Sequence, residues 1–124
     1  MKTRTLLLLL SLLWLFAQPL VAAHTVDVSL IQLIASPKDY DGKIVRLIGF
    51  MRLEFEGNAI YLHQDDYNHG ISKNGLWITV TEDMQKRKAE FDRKYVLIEG
   101  TFDAKEMGAW CGSVRKITRC QVWR

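Results

Sequence analysis

The stretch from Lys43 to Phe55 constrains the fold more than any other part of the chain. Val45, Leu47, Gly49, Met51, Leu53 and Phe55 share one face at the two-residue period of a β-strand, and Arg46, Arg52 and Glu54 share the other. Ile48 and Phe50 break the alternation on either side of Gly49. A glycine there predicts a bulge or sharp bend, past which the strand can bury its other face.

The remaining segments fall around this strand. Upstream, Leu30, Ile31, Leu33 and Ile34 form a short helical stripe over Ser29–Ala35, which must bury Leu30, Ile31 and Ile34. It ends before Pro37, and Pro37 to Gly42 reads as a turn. Downstream, Glu56-Gly57-Asn58 turns the chain into a second strand, Ala59 to Gln64. Asp65 to Asn74 reads as a polar loop, and Gly75 to Val80 as a third strand with Leu76, Ile78 and Val80 inward. Thr81 caps a surface helix with Glu82 and Asp83 in its first turn and Lys86, Arg87 and Lys88 later, the order that suits the helix dipole. Tyr95 to Phe102 is a fourth strand, and Gly112 to Trp123 a fifth, interrupted where Val114 and Ile117 stand three apart.

The expected fold class is therefore all-β with minor α. Strand, strand, strand, helix, strand, strand is the order of the OB-fold, a five-stranded Greek-key barrel, here preceded by a short N-terminal helix. Sandwiches and SH3-like barrels compete, but neither expects a helix between strands three and four. Asp41 to Gly49 also echoes Asp92 to Gly100 without a gap, sharing Asp-x-Lys, a Val, an aliphatic residue and the Gly. Two strands with one job, each entering from a turn and bending at a glycine, would look like this.

The runs Tyr40 to Phe50 and Phe55 to Leu62, with Gly100-Thr101-Phe102-Asp103, Gly112-Ser113-Val114 and Ile117-Thr118-Arg119, resemble small exported bacterial OB-fold proteins of unassigned function. The resemblance covers most of residues 30–123. Its motifs are turns, bends and core positions, so it implies a fold and leaves the ligand open.

The chain begins Met1-Lys2-Thr3-Arg4, followed by an uncharged run from Leu6 to Ala17 and then Gln18-Pro19-Leu20-Val21-Ala22-Ala23. A basic start, an apolar stretch of about 12 residues and small residues at the cut site make a secretory signal peptide over 1–23. A spanning helix needs about 20. The expected mature chain is one domain, 24–124, without a transmembrane segment, in the bacterial periplasm or outside the cell. The full chain carries 17 Lys and Arg against 14 Asp and Glu, a net +3. Lys2 and Arg4 leave with the leader, which takes the balance to +1. So neutral a domain has little long-range pull on nucleic acid or anionic membranes.

Cys111 and Cys120 are the two cysteines. An oxidising compartment and an even count favour a disulfide. On one straight strand they would stand roughly 30 Å apart, against the ~7 Å that a bridge allows. Pairing therefore requires a turn near Arg115-Lys116 or a helical kink, and both states remain open.

Candidate chemistry concentrates between strands two and three. His63, Asp65 and His69, joined by His24 if cleavage exposes it as the mature N-terminus, form a conceivable Zn²⁺ or Cu²⁺ set. Their spacing matches no compact motif, and a turn-rich polar loop explains the same residues. Asp65, Asp66, Arg46 and Arg52 are the types a metal-dependent nuclease would recruit, but no motif joins them. No catalytic residue and no cofactor is assigned. The OB barrel's usual binding face lies on strands two and three, whose outward set is Tyr61, His63, Trp77 and Thr79, with Trp110 on the neighbouring rim. The expectation is a non-enzymatic module that binds an oligosaccharide, an envelope component or a protein. A metal protein on His24, His63 and His69 is the alternative, and single-stranded nucleic acid the second. Tyr61 and Trp77 could equally be packed away beneath the N-terminal helix.

Overall fold

The computed structural model describes residues 22–124, so all but Ala22 and Ala23 of the expected leader lies outside the described residues. Six strands make one sheet: β1 (Thr25–Asp27), β2 (Ile44–Arg52), β3 (Ala59–Tyr61), β4 (Gly75–Ile78), β5 (Lys94–Asp103) and β6 (Ser113–Val122). Strands β2, β3, β4, β6 and β5 neighbour one another in that order, and β2 pairs back onto β5 to close a five-stranded barrel. The β4–β6 pairing is parallel and the other four barrel pairings are antiparallel. This is the OB-fold arrangement that the element order predicts. No described helix is long and apolar enough to cross a membrane.

Burial along β2 changes at the mid-strand glycine, while its ladder with β5 runs through Gly49 without the expected bulge. Before Gly49 only Val45 and Leu47 of β2 are buried; from Gly49 onward both faces are. A Cβ on Gly49 would lie 2.7 Å from Leu30 Cδ1, Ile60 Cγ1 and the Tyr61 carbonyl, so the glycine marks a close approach of other chain segments to the β2 backbone. The internal echo also has a structural counterpart. Its two strands pair with each other, Val45 standing opposite Gly100 and Gly49 opposite Val96. Each copy's valine meets the other copy's glycine.

Short helices fill the connections. Helix α1 (Leu30–Ala35) starts in a capping box between Ser29 and Gln32. It buries Leu30 and Leu33, whereas Ile31, expected inward, is 60% exposed. A six-residue helix presents too narrow a stripe to bury all four apolar positions. Pro37 opens one further turn, α2 (Pro37–Tyr40). The loop expected from Asp65 to Asn74 holds a helix, α3 (Gln64–Asn68), and a 3₁₀ turn over Ser72–Asn74. The helix capped by Thr81 breaks at Arg87 into α4 (Glu82–Lys86) and α5 (Lys88–Phe91), each burying one apolar residue, Met84 and Phe91.

Three strand boundaries move inward. β2 ends at Arg52 because the next amide, Leu53 N–H, donates to Asp92 rather than to a strand. Phe55, placed inward by alternation, consequently lies 92% exposed outside the sheet. β3 stops at Tyr61, which leaves His63 as the N-cap of α3 rather than a strand residue. β4 stops at Ile78, so Thr79 lies beyond it, exposed. β1, which sequence periodicity does not show, runs parallel to the first residues of β2.

β6 continues through its irregular point. Lys116 takes a φ of +50°, and the register against β5 shifts between Glu99 and Thr101. The strand bulges without reversing. Cys111 lies before the strand, in the β5–β6 loop, and Cys120 near the strand's far end, and both thiols are free.

Candidate aromatic binding rim

The outward face of β2, β3 and β4 is built around aromatic rings. In the β3–β4 register Tyr61 stands opposite Gly75 and Ala59 opposite Trp77. A Cβ on Gly75 would fall 2.9 Å from Tyr61 Cδ1, so the tyrosine ring lies directly on that glycine. Phe50, Ala59 and Tyr61 form a buried cluster of their own, apart from the barrel interior, with Tyr67 of α3 and Trp110 packed onto it. The Tyr61 and Tyr67 rings meet edge to face at 5.6 Å, and Phe50 meets Tyr67 at 6.3 Å and Tyr95 at 5.5 Å. Such tilted pairs suit the ring quadrupoles.

Tyr61 is consequently not a stacking platform. It is 5% exposed, and its cover is Tyr67 and Trp110 rather than α1. Trp77 and Trp110 remain half-buried at the edge of the cluster, 5.1 Å apart and 63° from parallel. Trp110 Nε1–H donates to the Tyr61 hydroxyl at 3.3 Å. Beside it, Cys111 Sγ donates to the Lys73 carbonyl at 3.3 Å, which ties this end of the β5–β6 loop to the 3₁₀ turn.

Helix α3 is held in place from two sides. Asp66, buried despite its charge, accepts from His63 N–H at 2.9 Å and from Asn74 Nδ2 at 2.8 Å. On the other side the Arg52 guanidinium, 4% exposed, lies 4.1 Å from the centroid of the Tyr67 ring. Arg52 Nε donates to Asp92 at 3.1 Å and Nη2 to Glu54 at 2.9 Å, while the Tyr67 hydroxyl reaches the same Glu54 oxygen at 3.3 Å. Arg52 Nη1 is buried with no hydrogen-bond acceptor; the electron-rich face of Tyr67 offsets part of that cost. Burial alone would lower the Arg52 pKa, but Asp92 and Glu54 outweigh it and raise the value.

The histidines do not converge. His24 is exposed beside β1, near Gly42, Lys43 and Ile44. His63 and His69 flank α3, beyond the far end of β2, where Tyr61 pairs with Phe50. His69 Nδ1 lies 2.8 Å from the Asp65 carbonyl, and Asp65 itself is exposed. Among the described residues no three His, Cys, Asp or Glu side chains gather into a set that could hold a metal ion. The acids and arginines are likewise dispersed: Arg46 pairs with Asp27 and Glu99, Arg52 with Glu54 and Asp92.

Phe50 and Tyr67 are the site residues that sequence reasoning missed; Arg52 it named only as one of the charges a metal-dependent nuclease would recruit. Phe50 did leave a signal, since it breaks the alternation just after Gly49. Tyr67 left a weaker one, a lone aromatic in a run of Asp, Asn and His. Comparison with protein-family models yields no match, and comparison with curated proteins yields none either.

Proposed function

We propose that this chain is an exported, non-enzymatic OB-barrel module that grips an oligosaccharide of the cell envelope at the Trp77–Trp110 rim. The observation that carries this reading is the half-exposed tryptophan pair fixed to a buried aromatic base. Indole faces bury large area with few rotatable bonds, and a pair already held in position loses little entropy on binding. Aromatic rings stack against sugar faces as they do against bases. The +1 balance of the chain without its leader supplies little attraction for a polyanion, which favours the neutral ligand. Export rests on the leader-like start.

The test is titration of the protein recovered from the periplasm with envelope glycans, read by tryptophan fluorescence and calorimetry. The reading expects saturable binding that Trp77→Ala and Trp110→Ala each abolish, and an N-terminal residue of His24 by mass spectrometry. Binding that survives both substitutions would overturn the rim. Stoichiometric metal lost on His63→Ala, or a salt-sensitive gel shift with single-stranded DNA, would replace the reading by one of its alternatives.

A further inference from the structure

The outer wall of the barrel carries a second recess, on strands other than those of the tryptophan rim. Val122 packs against the core, so the next residue, Trp123, turns outward, and its N–H donates to the Tyr95 carbonyl of β5 at 2.8 Å. The Trp123 side chain is half exposed. On the same outer face Ile48 and Leu97 stand opposite one another in the β2–β5 ladder. With Val28, at the step from β1 to α1, these three residues line a cleft of about 410 Å³, and Asp27 and Arg46 complete it.

We propose that this cleft binds a neutral sugar of one or two rings, laid against Trp123 with its hydroxyls on the Asp27–Arg46 pair. The volume lies at the small end of ligand sites, about 300–1,000 Å³. Charge sets the class of occupant. Arg46 Nη1 donates to Asp27 Oδ1 at 3.2 Å, and Nε donates to Glu99 at 2.7 Å. An ionic ligand would meet both signs side by side and gain little from either. Arg46 Nη2 and Asp27 Oδ2 have no hydrogen-bond partner among the described residues, which leaves one donor and one acceptor at the cleft. A hydroxyl is donor and acceptor at once and serves both. A wholly apolar ligand would strip water from the two groups and return nothing. Indole, Ile48 and Leu97 in turn suit the C–H faces of a ring. Only a neutral, hydroxylated ring with an apolar face meets both requirements. The site shares no residue with the tryptophan rim and does not depend on it.

The experiment titrates the isotope-labelled protein with cellobiose, methyl glucoside, glucuronate, glucosamine and cyclohexanol, read by NMR at the Trp123 indole N–H and the Ile48 and Leu97 amides. The two neutral sugars should shift all three signals saturably, and glucuronate and glucosamine should bind about tenfold more weakly. Trp123→Ala should erase the cellobiose shifts at Ile48 and Leu97. Asp27→Ala should weaken cellobiose by a similar factor and, by freeing Arg46 from one carboxylate, remove the discrimination against glucuronate. Should Trp123→Ala fail to fold, Asp27→Ala and the titrations of the unaltered protein decide. No shift at Trp123 with either neutral sugar, or affinity for a charged sugar or cyclohexanol equal to that for cellobiose, would overturn the inference. Shifts confined to Trp77 and Trp110 would overturn it and leave the rim reading standing. Shifts at Trp123 with none at the rim would support it and count against the rim alone.

Discussion

The Arg52 guanidinium stacks 4.1 Å from the centre of the Tyr67 ring and so joins the barrel wall to the helix that roofs its aromatic face. Arg52 comes from the last residue of β2, and its carboxylate partners from the chain just past that strand and from the turn before β5. Removing one member of a buried charged network leaves the others unpaired, at a cost of about 3 kcal/mol. Arg52→Ala should therefore lower Tm by on the order of 15 °C for a domain of this size. Tyr67→Phe keeps the ring and loses only a 3.3 Å hydrogen bond, so it should cost about 1 kcal/mol or less. Thermal melts of the two variants side by side check this. A mild Arg52→Ala would show that packing alone holds α3.

The same network makes stability sensitive to acid. Burial alone would raise the Asp92 pKa, but Leu53 N–H and the Arg52 guanidinium outweigh it and hold the carboxyl below its ordinary value. Arg46 and Arg119 hold Glu99 low in the same sense. A carboxyl with a lower pKa folded than unfolded contributes stability that is intact above the unfolded value of about 4 and is lost as pH falls through the folded one. The urea midpoint of the wild type should fall steeply below about pH 4. Asp92→Asn should start lower at neutral pH and fall less. Parallel slopes would assign the acid sensitivity to other carboxyls.

How much of this was legible follows from what each feature depends on. The barrel order was, because strand alternation, turn glycines and the Thr81 cap are all local. The outward placement of Tyr61 and Trp77 was too, by the two-residue period. Their cover was not: it comes from Tyr67 and Trp110, 6 and 49 residues beyond Tyr61 in the chain. Helix α3 was hidden in a polar run because Asp66, which secures it, reaches forward to Asn74 rather than to a local hydrophobic stripe. β1 was too short for any period to register. The expected inward Phe55 failed where Asp92, distant in sequence, takes the Leu53 amide and ends the strand.

Gly49 gives a sharper test of packing. An added methyl there would meet a backbone oxygen and two core side chains at 2.7 Å. Forcing β2 away from Leu30 and Ile60 should cost about 2–3 kcal/mol. Gly70, by contrast, has open space around it but a φ of +66°, so Gly70→Ala should cost about 1 kcal/mol through backbone strain alone. Chemical denaturation of both variants separates the two mechanisms. The reverse ranking would mean that β2 can shift away from Leu30 and Ile60 at Gly49.

The cysteines, finally, should behave as two unlike free thiols. Burial pushes the Cys120 thiol up to about 11, so at pH 8 about one molecule in a thousand carries the reactive thiolate there. Cys111, half-buried in the β5–β6 loop, lies near the protein surface. Iodoacetamide at pH 8 should therefore modify Cys111 well before Cys120, with peptide mapping by mass spectrometry as the readout. Reductant should leave Tm unchanged, because a bridge between the two would require β6 to abandon its pairing with β5 between Arg115 and Cys120. Equal labelling rates would show that the Cys120 end of β6 opens readily. A Cys111–Cys120 disulfide in the protein purified without reductant would show that the last strand does not run as a continuous β6 there.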